Sequence, residues 1–389
     1  MCNKQMTITK NADCPINRLV CQLLIGYCLL AGIPGLGQHR ERLNESSFNP
    51  AKFEKFTINL EFGKKDKIPG YQYSSVQFLD ARADTSKLGF ALAGSNNEYH
   101  RLLFPKPAGD YLNSKINPLL QKRDDSTKNY HSKDSLLFVL KDLWVSQVKI
   151  PASFGKRMLT GPIDNLCFCY FSSDCYLVND KRLEFLGNID TVVSLKKWIV
   201  MSADDLLKKT IITVMTIADS LLSQHTINTK AITQEELNAN LQSEYNFPIL
   251  NTPLRKGIFL SYNDFLMNTP AEVEFKVGED KKREYLESKS ITEPEVNNAW
   301  GYSDGTDIFF HINDKFYRMV RSQNTFELAG PRNINKMHGK DEIILHTAIA
   351  TFLGGIASGG FNLLFMDSNN KIMKELVPYQ LNIKKGTIY

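Results

Sequence analysis

At 389 residues the chain is long enough for two or three domains, each burying its own core. Its composition is globular, with 42% hydrophobic, 23% charged and 11% aromatic residues. A net charge of +5 is mild on this length, and the basic knots Lys64-Lys65-Asp66-Lys67 and Lys281-Lys282-Arg283 read as solvated loops, so no nucleic-acid partner is expected.

Residues 1–37 have the order of a secretory signal peptide. A basic region ending at Arg18 leads into the apolar run Leu19–Ala31, Pro34 breaks the helix, and Gly35 and Gly37 set small residues before a cut at Gln38. Met6 competes with Met1 as the start. The alternative is an uncleaved anchor helix, for which the apolar part is short. Cys21 follows Val20 and Cys28 follows Tyr27, so neither sits in a lipobox.

Strands are expected at Phe56–Phe62 and from Ser75, with a helix at Tyr111–Gln121 that Pro118 limits. Lys122–Lys133 reads as a charged loop. Ser135–Val145 is the strongest strand, apolar enough to be central, and Cys167–Tyr176 and Arg182–Ser194 follow it. Cys167, Cys169 and Cys175 crowd together with no His or fourth Cys near, so a metal site is not expected. A turn near Ser172 would bring Cys175 opposite Cys169 for one disulfide; the alternative is buried free thiols packing as small hydrophobes.

From Ser202 the pattern turns helical. Ser202-Ala-Asp-Asp205 caps a helix over Asp204–Ser223 with an apolar stripe, and Thr233-Gln-Glu-Glu236 caps a second over Thr233–Glu244. Pro248 and Pro253 mark a linker. Ser261-Tyr-Asn-Asp264 then caps a short helix, Glu272–Val277 is a strand, and Gly278–Asn298 is a charged excursion. Trp300–Val320 is a β-meander, punctuated by Ser303-Asp304-Gly305, with positive φ expected at Gly305, and by Asn313-Asp314. Asn179-Asp180-Lys181 recurs at Asn313-Asp314-Lys315 as the trace of a weak duplication. Ile343–Phe365 carries no charge and two glycine pairs; helix, glycine loop and core strand is preferred over a membrane segment. The tail from Tyr379 closes as a hairpin.

No phosphate loop, dinucleotide fingerprint, His-Glu-x-x-His helix or Gly-x-Ser-x-Gly elbow occurs, and the seven histidines are isolated, so no cofactor is expected. Asp80, Arg82 and Asp84 share a face if the chain stays extended, as an ion pair or a small binding site requires. Trp300 and Tyr302 beside Asp304 are the one hint of an aromatic-lined acid cleft, which a carboxylate-dependent hydrolase would need.

The arrangement Pro248-Ile-Leu, Lys256-Gly-Ile-Phe-Leu-Ser-Tyr-Asn-Asp-Phe-Leu, Asn268-Thr-Pro, Trp300-Gly-Tyr-Ser-Asp-Gly and Arg321-Ser-Gln-Asn-Thr-Phe resembles a family of uncharacterised exported proteins of Bacteroidota. The resemblance covers mainly residues 248–331 and implies a Gram-negative envelope setting, periplasmic or outer-membrane-associated, without an activity or any functional residue. The order of residues 76–145 is loosely similar to periplasmic modules of outer-membrane assembly lipoproteins, an analogy of fold alone.

The expected fold class is α+β: two small antiparallel-sheet domains, at 38–200 and 248–389, joined by a helical connector at 201–247. The expected role is non-enzymatic, binding or structural, with other envelope proteins or the outer membrane as partners. The alternatives are an accessory protein tethered through 343–365 and an exported hydrolase using Asp80, Asp84 and Asp304.

Overall fold

The strand expected at Ser135–Val145 runs on to Pro151, and the first sheet is built around it. The structure is a computed structural model that describes residues 48–63, 66, 73–93, 98–121, 135–151, 163–179, 182–197, 203–225, 231–271, 274–280, 283–331 and 376–389. The leader, the 122–133 loop, Asp180 and Lys181 of the duplication, Ser202, and all of Ile343–Phe365 lie outside the described residues.

The first sheet contains β1 (Lys55–Thr57), β2 (Ser75–Asp80), β3 (Gly89–Ala93), β4 (Glu98–Leu103), β5 (Ser135–Pro151), β6 (Ile163–Asn179), β7 (Arg182–Lys197) and β8 (Ile232–Thr233). Strands β5, β6 and β7 form a long antiparallel meander. On its other edge β5 pairs in parallel with β2 over Ser135–Leu140, and then with β3 at Val145 and Ser146. Strand β1 also runs parallel to β4. The sheet is therefore mixed, which corrects the expectation of an antiparallel one. An apolar run such as Leu136–Leu140 suits a strand covered on both faces, and parallel neighbours supply that setting. For β3 to take over from β2 along β5, the backbones must close at Gly89, where φ is +126° and a Cβ would lie 1.9 Å from the Val145 carbonyl oxygen. Only glycine fits there.

Helix α1 (Ala108–Gln121) keeps Pro118 inside it and buries Leu112 and Ile116 on the sheet. Its Asn113 and Asn117 stand i,i+4 on one face. Asn113 Oδ1 accepts from Phe78 N at 2.8 Å and Asn117 Oδ1 from Val76 N at 2.9 Å, while Asn117 Nδ2 donates to Val76 O. These amides satisfy the outer edge of β2 as another strand would. Helix α2 (Ala203–Gln224) buries Leu206, Leu207, Ile211 and Val214 on the same face of the sheet. Helix α3 (Gln234–Ser243) starts at the expected Thr233–Glu236 capping box and lays Leu237 on the opposite face, against Leu137, Val139 and Leu183. The segment expected as a connector thus packs on the first sheet from both sides.

Further along come α4 (Pro248–Asn251), β9 (Gly257–Phe259) and α5 (Tyr262–Leu266), the last capped by Ser261 and Asp264 as expected. The charged excursion is instead a hairpin, β10 (Phe275–Asp280) and β11 (Arg283–Ser288), followed by α6 (Glu293–Asn297). Its strands carry charge on each side, so no alternation marked them. The meander forms as β12 (Gly301–Ser303), β13 (Ile308–Ile312), β14 (Lys315–Ser322) and β15 (Thr325–Pro331). Gly305 has φ +96°, and Asn313 and Asp314 have φ +50° and +63°. With β16 (Leu376–Asn382) and β17 (Thr387–Ile388) the second sheet has the order β17-β16-β15-β14-β13-β12-β9. Its core of Phe259, Phe265, Trp300, Phe310 and Tyr379 also takes in Phe168 of β6, so the two sheets pack together.

Candidate functional site

Asp80 ends β2, still paired with Leu140, and between β2 and β3 the chain leaves the edge of β5 on an excursion that carries Arg82 and Asp84. Ala81 N still donates to Leu140 O, and Val145 N donates to Leu88 O, at 3.0 and 2.6 Å. In the gap between them Arg82 replaces the missing strand: Nη1 donates to Leu143 O at 3.3 Å and to Lys87 O at 2.8 Å. Nε and Nη2 grip the two oxygens of Asp80 at 2.7 and 2.8 Å. The guanidinium is buried with four of its five N–H groups in these bonds, and its fork geometry matches the carboxylate.

Asp84 turns the other way. It accepts from Lys87 Nζ at 2.5 Å, Ser322 Oγ at 2.6 Å and Ser86 Oγ at 2.5 Å. Burial works to raise its pKa, yet the Lys87 charge and these hydrogen bonds hold it below the ordinary carboxylate value. The same Lys87 Nζ lies 2.9 Å from Glu327 Oε1 on β15. Neither Glu327 oxygen receives a well-directed hydrogen bond, and the side chain is fully buried. Burial pushes its carboxyl up to about 7, with Lys87 opposing. The alternation read as an ion pair or a small binding site forms two internal pairs, one stitching β5 and one tying the excursion to the second sheet.

Trp300 and Tyr302 are core residues. Trp300 stacks on Phe265 at 4.3 Å and Tyr302 on Phe309 at 4.6 Å. Asp304 caps its own turn, accepting from Thr306 N and Asp307 N at 2.7 and 2.8 Å. These three line no common cleft: Trp300 packs in the core around Phe259 and Phe265, Tyr302 in a separate cluster with Ile258 and Phe316, and Asp304 is turned into its own loop.

The disulfide reading is corrected. Cys169 and Cys175 both lie on β6, which runs straight through Ser172, and both are free buried thiols. At about 3.3 Å per residue they stand roughly 20 Å apart, far beyond disulfide reach. Burial pushes each thiol up to about 12, which leaves them unreactive. Among the described residues no group of three or more His, Cys, Asp or Glu is placed to hold a metal ion.

The concave polar feature lies elsewhere, where the β16–β17 hairpin meets β5 and β6. A cleft of about 230 Å³ is lined by Lys141, Asp142, Asp174, Glu244, Tyr245 and Lys384, among others. Asp142 sits at the β-bulge that follows Leu140, where β5 changes partner. It accepts from Tyr389 Oη, and from Asn382 Nδ2 at 3.1 Å. Burial pushes its carboxyl up to about 6, against the Tyr389 hydrogen bond and the charges of Lys385 and Lys384. Glu244 accepts from Lys141 and, at 2.5 Å, from Lys384; Lys385 bridges Asp190 at 2.8 Å and Tyr170 Oη at 2.9 Å. Each of these lysines already has a carboxylate partner. The cleft is a self-neutralised clamp on the hairpin and presents no activated nucleophile.

Sequence reasoning missed Lys87, Asp142, Glu244, Glu327 and Tyr389. Two of them did leave a signal: Asp142 and Glu327 are single acids inside apolar strands, and a buried acid calls for a partner. Among the described residues no helix is long and apolar enough to cross a membrane.

No protein-family description and no curated protein matches the chain. Two solved structures resemble part of it. One is a Xanthomonas campestris protein of family DUF330, with 10% identity and a TM-score of 0.24, covering 43% of this chain and 94% of its own. The other is described only as an uncharacterized protein, with 11% identity and a TM-score of 0.20, covering 43% of this chain and 99% of its own. Neither likeness assigns a fold or an activity.

Proposed function

We propose that this is an exported, non-enzymatic protein of the cell envelope with a binding or structural role, built as two α+β halves with helices α2 and α3 packed on the first. The observation that supports the non-enzymatic part is the internal pairing of the three candidate acids. Asp80, Asp84 and Asp304 each satisfy an internal guanidinium, ammonium or turn. A hydrolytic pair needs two carboxylates facing one cleft, at roughly 5–9.5 Å, and these three face apart. Export rests on the order of charge, apolar run and small residues through Gly37, and the envelope setting on the resemblance of residues 248–331 to exported Bacteroidota proteins.

A second reading, an accessory protein tethered through 343–365, is favoured by one observation. Pro331 and Leu376, which flank that uncharged stretch, are paired neighbours on β15 and β16, so the chain leaves and returns at one point. Cell fractionation with N-terminal sequencing tests both. The expected result is a mature chain beginning near Gln38 in the envelope fraction, released without detergent. Residues 1–37 retained on a cytoplasmic protein would overturn export. Membrane retention that deletion of 343–365 abolishes would favour the tether.

A further inference from the structure

Among the described residues, β2 and β7 of the first sheet each have an outer edge that faces no strand over most of its length, and the two are treated differently. The outer edge of β2 is sealed by the paired amides of Asn113 and Asn117. The outer edge of β7 is sealed only at its start, where β8 pairs with Arg182 and Leu183. From Glu184 to Leu195 the one outward backbone contact among the described residues is Lys209 Nζ donating to Ser194 O at 3.2 Å. An open strand edge of this length is a template for strand addition. The bulge near Gly187 bends its first part, but the register with β6 is unbroken from Gly187 to Lys197.

We propose that β7 is an interaction edge whose occupant is a second copy of this chain, paired antiparallel about a twofold axis through Val192. Peptide groups alternate in direction along a strand, so the Ser194 carbonyl marks Asp190, Val192 and Ser194 as the outward-facing set. Centring on Val192 sets Val192 opposite its own copy and Asp190 opposite Ser194, so every outward group meets another outward group. It also sets Ile189 opposite Leu195 and Thr191 opposite Val193, and Ile189, Val193 and Leu195 belong to the face that α2 covers. No like charges meet at these positions, and each Asp190 finds a hydroxyl across the seam. Centring on Asp190 instead would set two carboxylates face to face, each with its own Lys385, a crowding that the Val192 register avoids. The edge is thus self-complementary in the register centred on Val192. The Lys209 contact is an exposed charge-to-carbonyl bond, readily exchanged for water, and among the described residues it is the one bond to this edge that must give way.

The test is the mass of the purified mature protein by light scattering and sedimentation across its accessible concentration range. Twice the chain mass is expected, and a monomer throughout overturns the proposal. Ser194→Pro removes one outward N–H and leaves the bonds to β6 intact, so a folded monomer is expected by near-ultraviolet circular dichroism and mass. A folded Ser194→Pro dimer would place the contact on another surface and overturn the proposal. Should Ser194→Pro fail to fold, Val192→Cys decides: oxidation is expected to link two copies through residue 192, which adjacent strands bring within disulfide reach. Absence of that link in a folded Val192→Cys protein would equally overturn it.

Discussion

Where the β2–β3 excursion meets β15, Lys87, Asp84 and Glu327 are sealed from water, with side-chain exposures of 3%, 0% and 0%. Where the β16–β17 hairpin meets β5, Lys141, Lys384 and Glu244 keep 14%, 32% and 24%. Both junctions tie the second sheet to the first with lysines and carboxylates. In the dry junction one lysine faces two acids, and the acid left with poorer hydrogen bonding is pushed toward neutrality. In the wet junction solvent shares the charge, and two lysines serve Glu244. The same ion pair therefore acts as a strained constraint in one place and a weak surface clasp in the other.

The largest effect is expected from Lys87→Met. It leaves Asp84 and Glu327 buried without their cation, and loss of one partner from such a group costs about 3–5 kcal/mol. A urea-melt midpoint unchanged from the native protein would mean that water reaches this junction, and the contrast with the cleft would fail.

Next in size is Glu327→Gln. The folded-state pKa of Glu327 is raised to about 7 from the ordinary 4.5. The folded state then holds a proton that the unfolded chain has already released, so the stability it contributes is present at acid pH and lost as pH rises from about 4.5 through about 7. Glu327→Gln is expected to raise stability at pH 8 by roughly 1–3 kcal/mol and to leave it nearly unchanged at pH 4. Chemical denaturation at the two pH values checks this; equal effects at both would show that the Glu327 carboxyl titrates alike in the folded and unfolded chain. Asp142, raised to about 6, slopes in the same direction, so the comparison is made between variant and native protein at each pH.

The smallest effect is expected at the wet junction. Lys384→Ala removes the Glu244 pair and a cation–π contact 4.7 Å from the Tyr245 ring. Glu244 keeps Lys141, and exposed pairs contribute about 0.2–1 kcal/mol, reduced further by salt. A loss as large as that of Lys87→Met would show that the cleft is as dry as the buried junction.

Local chemistry decided much of the fold on its own. The capping boxes at Thr233 and Ser261, the turn at Gly305 and the meander around it were legible because each depends on residues within a few positions. The apolar run at Ser135–Leu140 likewise announced a central strand. The sequence could not say that β5 would change partner at Asp142, because strand order depends on contacts between residues far apart in the chain. That exchange opens the gap that Arg82 fills, and it turns Asp80-Ala-Arg82-Ala-Asp84 from a candidate ligand site into two structural pairs. Cys169 and Cys175 show the same division. Their spacing was compatible with a turn or a straight strand, and pairing along the whole of β6 with both neighbours chose the strand. Residue types set which charges exist, while the packing of the two sheets set which of them are dry, and dryness decides how far each one is strained.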